Sequence, residues 1–253
     1  MPDSKRVALI CSDLDGTLLG CPDSSSLFSR CWDSLGDRRP ILVYSTGRLV
    51  DDGRRVVRAG GLPDPDYFTG GVGTTIHDRD GVMEDFTEAL NEGWDRDRAV
   101  EVVRSFSGID EQPAEQQHEW KSSWFWHDAG EEDLGRLRDA LREAGVAAQV
   151  IYSSARDLDV LPHAANKGNA LQWLCRRLGV PLDEVVVAGD TGNDSSMFLV
   201  PGVRGIMPSN AEPELIAAVR DLDVFRAGKE CAAGITEGLT HYGVFRQGVA
   251  QDA

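Results

Sequence analysis

Three short apolar runs mark this chain, and each ends in a polar turn that contains glycine. They lie at residues 7–11, 41–44 and 185–188. An apolar run of four or five residues without alternation is typical of a strand that is covered on both faces, as in a parallel sheet. The pattern therefore predicts an α/β core with a parallel, Rossmann-like sheet, in which ligands bind at the carboxyl ends of the strands.

A helix is predicted before the third run, because apolar residues recur there at the i, i+3, i+4 and i+7 positions of one face. These residues are Leu171, Leu174, Cys175 and Leu178. Asn166 is expected to cap the N-terminus of this helix, and Gly179 is expected to end it.

The middle of the chain has a different pattern, without continuous apolar runs of the core type. Two helix faces and two strand-like segments alternate there, at 99–106, 120–126, 134–144 and 147–152. We therefore predict a smaller α+β cap domain at 79–157, inserted into a core domain that is formed by 1–78 and 158–253.

Composition excludes several classes of protein. The chain has 253 residues and a formal net charge of −16. Nonspecific nucleic-acid binding depends on clustered lysine and arginine, so this acidic balance argues against a nucleic-acid partner. No apolar run approaches the roughly 20 residues of a membrane span, and we expect no membrane partner.

The five cysteines are scattered and form no C-x-x-C pair, and residues 1–6 lack the apolar stretch of a leader peptide. This pattern is typical of a reduced protein without a disulfide framework or a zinc site. We expect a cytoplasmic protein that acts as a monomer or a weak dimer.

Two carboxylates follow the first apolar run, in the sequence Asp13-Leu14-Asp15-Gly16-Thr17. Side chains two residues apart point to the same face of an extended chain, so both carboxylates could reach one bound group. One can attack phosphorus to form an aspartyl-phosphate, while the other handles the proton of the leaving group. The alternative is a solvated loop or a helix N-cap, because this motif is short.

A second acidic cluster follows the third run, in Gly189-Asp190-x-x-Asn193-Asp194. Oxygen ligands of this kind are those that Mg²⁺ prefers, and a metal ion there would offset the repulsion between a carboxylate nucleophile and a phosphate. A turn that caps the next helix is the alternative.

Thr46 and Lys167 add groups that bind phosphate. Thr46 follows the second run, in Ser45-Thr46-Gly47-Arg48, and offers a hydroxyl and nearby backbone N–H groups, whereas Lys167 offers a point charge. Either residue alone is typical of an ordinary surface. All four motifs border predicted strand ends or helix starts, and this joint order favours phosphoryl transfer.

In this order the four motifs resemble the signatures of the haloacid dehalogenase (HAD) superfamily of phosphatases. The likeness extends to the sucrose-phosphate phosphatase branch and covers nearly the full chain except the cap. The segments that carry this closer resemblance are Gly71-Val72-Gly73-Thr74, Asp159-Val160-Leu161-Pro162, Asn166-Lys167-Gly168-Asn169-Ala170-Leu171 and the C-terminal stretch 232–241.

The resemblance implies a role for each matching residue. Asp13 would be the nucleophile, and Asp15 the general acid that later activates water. Thr46 and Lys167 would bind the transferring phosphoryl group, and the other implied substrate contacts on the core are Gly47, Arg48, Gly73 and Asn193. The implied Mg²⁺ ligands are Asp13, the Asp15 carbonyl and Asp190, with Asp194 either a further ligand or a carboxylate that supports them.

The strand predicted at 120–126 has two different faces. Three tryptophans alternate along one face, and Lys121 and Ser123 lie on the other. One interpretation is that the tryptophans pack against the cap helices. The other is that Lys121 and Ser123 face the core domain and bind sugar hydroxyls, and the two interpretations are compatible.

The resemblance implies a Mg²⁺-dependent phosphohydrolase that acts on a phosphorylated sugar, with a disaccharide phosphate such as sucrose 6-phosphate as the favoured substrate. A phosphatase for mannosylfructose-phosphate, or for another glycoside or pseudo-disaccharide phosphate, is the alternative. More distant alternatives are a sugar phosphomutase and a non-catalytic domain that binds sugar phosphates.

Overall fold

The computed structural model describes residues 5–246, so the prediction about a leader at residues 1–6 lies partly outside the described residues. The strands are β1 (Leu9–Ser12), β2 (Ile41–Ser45), β3 (Tyr67–Gly70), β4 (Thr75–His77), β5 (Asp110–Glu111), β6 (Ser122–Phe125), β7 (Ala148–Ser153), β8 (Asp157–Pro162), β9 (Val185–Ala188), β10 (Arg204–Met207) and β11 (Val224–Arg226). The helices are α1 (Pro22–Asp33), α2 (Val50–Ala59), α3 (Glu84–Glu88), α4 (Arg96–Arg104), α5 (Glu131–Glu143), α6 (Lys167–Leu178), α7 (Ser195–Phe198), α8 (Pro213–Ala218) and α9 (Cys231–His241).

The larger sheet has seven strands in the order β11-β10-β9-β1-β2-β3-β4. Every pair is parallel except β3 with β4. The three apolar runs form the centre of this sheet, with β1 between β2 and β9, so the predicted parallel α/β core is confirmed. The ends of these three strands therefore meet at one edge of the sheet.

Both faces of the larger sheet are covered, which explains why the runs are apolar without alternation. Ile10 and Leu42 belong to a cluster on one face that includes residues of α1 and α9, such as Phe28 and Ile235. Leu9 and its alternating neighbours belong to a second cluster on the other face, with residues of α6 and α7. The sheet thus holds the polar turns rigidly at its carboxyl edge.

Helix α6 begins and ends as predicted. The Asn166 side chain accepts a hydrogen bond from the backbone N–H of Asn169, and Gly179 adopts a left-handed conformation with φ 67°. The N-cap therefore places Lys167 at the first position of the helix, and the glycine ends it.

The smaller sheet is antiparallel, with strand order β5-β6-β8-β7. Helices α4 and α5 pack against it through an apolar cluster that contains Trp124, Trp126, Leu137 and Val103. The predicted packing of Trp124 and Trp126 within the cap is confirmed, whereas Trp120 packs against the cluster of the larger sheet.

The smaller sheet extends past the boundary that we predict between residues 157 and 158, and the division into domains stays a prediction. All six residues of β8 pair with β7, and four of them also pair with β6, so the smaller sheet extends to Pro162. The physical reason lies in the packing of β8. Leu158 and Val160 belong to the apolar cluster of the smaller sheet, whereas Leu161 already belongs to a cluster of the larger one.

Within residues 5–246, none of the helices is both long enough and apolar enough to cross a bilayer.

Candidate active site

The motif residues meet at the carboxyl edge of the larger sheet, as the strand order requires. The backbone N–H of Asp13 donates to the carbonyl oxygen of Ala188 at 2.9 Å, which ties the end of β1 to the end of β9. Thr46 is tied in the same way to β3, because its N–H donates to the carbonyl oxygen of Thr69 at 2.9 Å.

Lys167 is the centre of the site. Its Nζ atom lies 2.7 Å from Oδ1 of Asp13 and 2.6 Å from Oδ1 of Asp194, and its side chain is fully buried. Burial alone would lower the pKa of Lys167, but the two carboxylates outweigh it and hold the pKa above its ordinary value. The lysine is therefore a fixed positive charge.

Asp194 supports its surroundings with both oxygens. Oδ1 accepts from Lys167, while Oδ2 accepts from the backbone N–H groups of Asp190 and Thr191, each at 3.0 Å. The loop is packed so tightly that a Cβ on Gly189 would lie 2.5 Å from the Asp194 side chain. Asp194 therefore orients Lys167 and holds the shape of the turn.

Asp190 lies beside the turn that follows β1. Its Oδ1 accepts a hydrogen bond from the hydroxyl of Thr17 at 2.6 Å. Gly16 has φ 80°, and a Cβ there would lie 2.1 Å from Oδ2 of Asp190, so only glycine allows this approach. Burial raises the pKa of Asp190 to about 7, against the hydrogen bond from Thr17.

Asp13, Asp190 and Asp194 form a buried acidic group that fits a metal ion. Each offers one carboxylate oxygen, and these oxygens lie within 4.8 Å of one another. Burial raises the pKa of Asp13 well above its ordinary value despite the charge of Lys167. Since three carboxylates share one ammonium group, this site has an excess of negative charge that a divalent cation would balance.

Arg48 holds Asp15 away from the acidic group. Its Nε and one terminal nitrogen bind the two carboxylate oxygens of Asp15 at 2.7 and 2.8 Å, and its other terminal nitrogen binds Asp52 at 2.6 Å. The Asp15 side chain is half exposed. Arg48, which we predict as a substrate contact, is thus paired with the predicted general acid in this conformation.

Lys121, which directly precedes β6, and Ser123 of β6 form a polar group with Asp159 of β8. The Lys121 ammonium contacts Oδ1 of Asp159 at 2.5 Å and also the Ser123 hydroxyl, which itself lies 2.7 Å from the same oxygen. Register explains this, because Ser123 pairs with Asp159 across the two strands. Sequence reasoning missed Asp159, although the residue lies in a motif that carries the resemblance.

A cavity of about 500 Å³ lies between this polar group and the acidic group, and residues of both groups line it. Predicted site residues line it from both sheets: Asp13, Asp15, Gly47, Arg48, Lys121 and Asn193. Residues that sequence reasoning did not assign also line it, including Gln112, Phe125, Arg156 and Asp159. The arrangement can bring a phosphoryl group to Asp13 and a polar organic group to the smaller sheet.

Six predicted site residues do not line this cavity and are buried or packed against backbone: Thr46, Gly73, Ser123, Lys167, Asp190 and Asp194. A Cβ on Gly73 would lie 2.4 Å from the backbone of Asn166, so this glycine allows the start of α6 to approach. The buried Oδ1 of Asn193 makes no hydrogen bond within residues 5–246. Lys167 is oriented by Asp13 and Asp194, to which its ammonium group donates.

Comparisons with known proteins agree with this geometry. The family model of sucrose-6F-phosphate phosphohydrolase matches residues 6–243. Mannosylfructose-phosphate phosphatase of Agrobacterium fabrum is 43% identical over 244 residues, which cover 95% of this chain and 98% of that protein. Sucrose-phosphatase 1 of Nicotiana tabacum is 33% identical over 92% of this chain, but the match spans only 59% of the tobacco protein.

A solved structure has the same architecture. The X-ray structure of the sucrose-phosphatase from Synechocystis sp. PCC6803, in complex with sucrose and phosphate, superposes with a TM-score of 0.87 and 33% sequence identity. The superposition covers 96% of this chain and all of that one. The resemblance seen in the motifs is confirmed: the chain belongs to the sucrose-6F-phosphate phosphohydrolase family and is a phosphatase with the HAD fold.

Proposed function

We propose that this phosphatase uses Mg²⁺ to release inorganic phosphate from a disaccharide phosphate. The observation that carries the proposal is the cavity that joins two polar groups. Lys167 with its carboxylates lies on one side, and Lys121 with Asp159 lies on the other. Phosphoryl chemistry needs the first group, and the many hydroxyls of a disaccharide suit the second.

Two substrates are candidates. Sucrose 6-phosphate fits the family model and the Synechocystis sucrose-phosphatase, and it is the substrate that the motifs favour. Mannosylfructose-phosphate is the second candidate, because the Agrobacterium phosphatase named for it shares 43% identity over almost its whole length.

The proposed reaction has two steps. The Asp13 carboxylate attacks phosphorus, and the sugar oxygen leaves with a proton from Asp15. Asp15 then takes a proton from water, and the resulting hydroxide attacks the aspartyl-phosphate, which frees phosphate and restores Asp13. Because Arg48 binds both oxygens of Asp15, this arginine has to release Asp15 before the first step.

The other residues act by charge and position. Lys167 and Thr46 bind the phosphoryl oxygens, with Gly47 and Asn193 beside them, while Lys121 and Ser123 bind sugar hydroxyls. Asp13, Asp190 and the Asp15 carbonyl would hold Mg²⁺, which supplies positive charge against the phosphoryl group when it is bound. Asp194 supports these ligands through Lys167 and the backbone N–H groups of Asp190 and Thr191, and its carboxylate could add a further ligand.

A phosphate-release assay tests the proposal. Sucrose 6-phosphate, mannosylfructose-phosphate, glucose 6-phosphate and p-nitrophenyl phosphate are each supplied with Mg²⁺ or with a chelator. We expect the disaccharide phosphates to react fastest, and only with Mg²⁺. Turnover of p-nitrophenyl phosphate alone would contradict the disaccharide claim, and retention of phosphate on the sugar would indicate a phosphomutase.

Asp13→Asn is the decisive variant in that assay. Since an amide is a poor nucleophile, we expect turnover to disappear while the fold persists. Asp37→Asn, at an exposed position, is the matched control and should retain full activity. Binding of a disaccharide phosphate without turnover by the parent protein would instead favour the non-catalytic alternative. The division into core and cap domains, the cytoplasmic location, the absence of other partners and the monomeric or weakly dimeric state stay predictions.

A further inference from the structure

Two of the five cysteines meet in the folded chain although 210 residues separate them. The Sγ atoms of Cys21 and Cys231 lie 2.9 Å apart. Cys21 is half-buried and Cys231 is buried. The other three cysteines are buried, and none of them forms a cysteine–cysteine contact of this kind within residues 5–246.

The fold brings the pair together next to the catalytic turn. Cys21 is the N-cap of α1 and follows the turn that carries Asp13 and Asp15, while Cys231 is the first residue of α9. Cys231 has φ 47°, a left-handed conformation that is uncommon for a residue with a side chain. A disulfide has its sulfur atoms about 2.04 Å apart, so a further approach of roughly 0.9 Å would connect them.

A short chain of hydrogen bonds connects Cys231 to the acidic site. Its backbone N–H donates to Oδ1 of Asn210 at 2.8 Å, and Nδ2 of Asn210 donates to the carbonyl oxygen of Gly16 at 2.8 Å. Gly16 in turn packs directly on the carboxylate of Asp190. These contacts would couple a displacement of Cys231 to the turn that contains Gly16 and lies beside Asp190.

We propose that Cys21 and Cys231 are a redox-sensitive pair, which a low-molecular-weight disulfide such as oxidised glutathione converts to a protein disulfide that slows turnover. The Cys21 thiolate attacks one sulfur of the small disulfide and expels one thiolate. Cys231 loses its proton to solvent and attacks the Cys21 sulfur, which expels the second thiolate. Two protein thiols are oxidised, and one small disulfide is reduced to two thiols.

The surroundings of the two thiols support this order of attack. Burial and the adjacent Cys21 raise the pKa of Cys231 to about 12, so Cys231 stays protonated at neutral pH. Cys21 is the more exposed of the two and is the one that a small disulfide reaches.

The test combines mass and activity on the full-length protein. After treatment with oxidised glutathione, we expect the intact mass to fall by about 2 Da, a peptide map to join Cys21 with Cys231, and turnover to fall several-fold. Dithiothreitol should reverse all three changes. Cys21→Ser and Cys231→Ser should retain basal turnover and lose the response, while Cys31→Ala, a matched buried control, should keep it.

Two results would overturn the proposal. One is an unchanged mass after oxidation, because the pair would then not form a disulfide. The other is a complete disulfide with unchanged turnover, because the pair would then not be coupled to the catalytic turn. The turnover part rests on the proposed function, whereas the mass and the peptide map do not, so a failure of the two ideas can be told apart.

Discussion

Lys167 and Lys121 are both buried and paired, but they belong to different sheets and have different surroundings. Lys167 is fully buried between Asp13 and Asp194, whose side chains are 7% and 0% exposed. Lys121 is 4% exposed and pairs with Asp159, which is 16% exposed. The core lysine thus lies among excess carboxylates, whereas the cap lysine forms a balanced pair at the wall of a cavity.

We infer from this difference that the Lys167 side performs the chemistry and that the Lys121 side selects the substrate. A site with more buried carboxylates than cations requires further positive charge, and a phosphoryl group requires a lysine that cannot move. A balanced ion pair beside a cavity needs no further charge, and its groups can hydrogen-bond to the hydroxyls of a ligand in that cavity. We therefore expect substitutions in the core to remove turnover and substitutions in the cap to change the substrate preference.

Lys167→Met should have the largest effect. It removes the ammonium group that lies between two buried carboxylates and leaves the phosphoryl charge without its partner. We expect turnover to fall about 10³-fold and the free energy of unfolding to fall by about 3 kcal/mol. Steady-state kinetics and urea unfolding measure the two quantities.

Lys229→Met is the control for this substitution, because Lys229 is exposed. It should leave both quantities unchanged. A Lys167→Met protein that retains more than a tenth of the parental turnover would show that the core lysine is not essential, and the contrast between the two sheets would then be lost.

Asp194→Asn should have the next largest effect. The amide keeps the size of the side chain, but its NH2 end cannot accept hydrogen bonds. The variant therefore loses either the bonds from the backbone N–H groups of Asp190 and Thr191 or the bond from Lys167. We expect a loss of about 10²-fold in turnover with little change in KM, which is typical of a group that orients others. A rise in KM as large as the fall in turnover would instead indicate that Asp194 contacts substrate.

The core site could be predicted from sequence because its information is local. Asp13 and Thr46 each follow a strand directly, Asp190 follows β9 after one glycine, and Asn166 determines that Lys167 begins α6. Strand order then brings the residues together without further information. This locality explains why short motifs indicated the chemistry.

The cap side was less predictable because its contacts depend on register. No sequence feature near Lys121 predicts its contact with Asp159. The two residues are 38 positions apart, and the pairing of β6 with β8 brings them together. The extension of the smaller sheet past the predicted boundary has the same origin, since β8 packs on two apolar clusters in turn. The Arg48–Asp15 pair was also missed, because it depends on the conformation of two long side chains.

Lys121→Met sharpens the contrast from the cap side. It leaves Asp159 without its ammonium partner beside the cavity, so we expect KM for the disaccharide phosphate to rise about tenfold. Turnover of p-nitrophenyl phosphate should stay near the parental value, because that substrate has no sugar. Equal losses on both substrates would mean that Lys121 supports the fold or the chemistry and does not select the sugar.

The smallest expected effect concerns two histidines, His77 of β4 and His118, which lies between β5 and β6. Both line one cavity together with Arg48 and Glu115. Burial lowers the pKa of His77, and Arg54 and His118 add to this; burial likewise lowers the pKa of His118. Since both pKa values lie below the ordinary value of about 6.5, the folded protein favours neutral imidazoles. Their contribution to stability is present above pH 6.5, where the unfolded chain is also neutral. It is lost as the pH falls through the pKa values of the folded state.

Thermal unfolding at pH 7.5 and at pH 5 tests this across the two regions. We expect the melting temperature to fall at pH 5, and to fall by a smaller amount in the double variant His77→Asn, His118→Asn. His163→Asn, at an exposed position, should behave like the parent. Either single variant should recover part of the difference, and more than half of it if the two imidazolium groups repel each other across the cavity. An identical fall in the double variant and the parent would show that protonation of His77 and His118 does not reduce the stability of the folded protein.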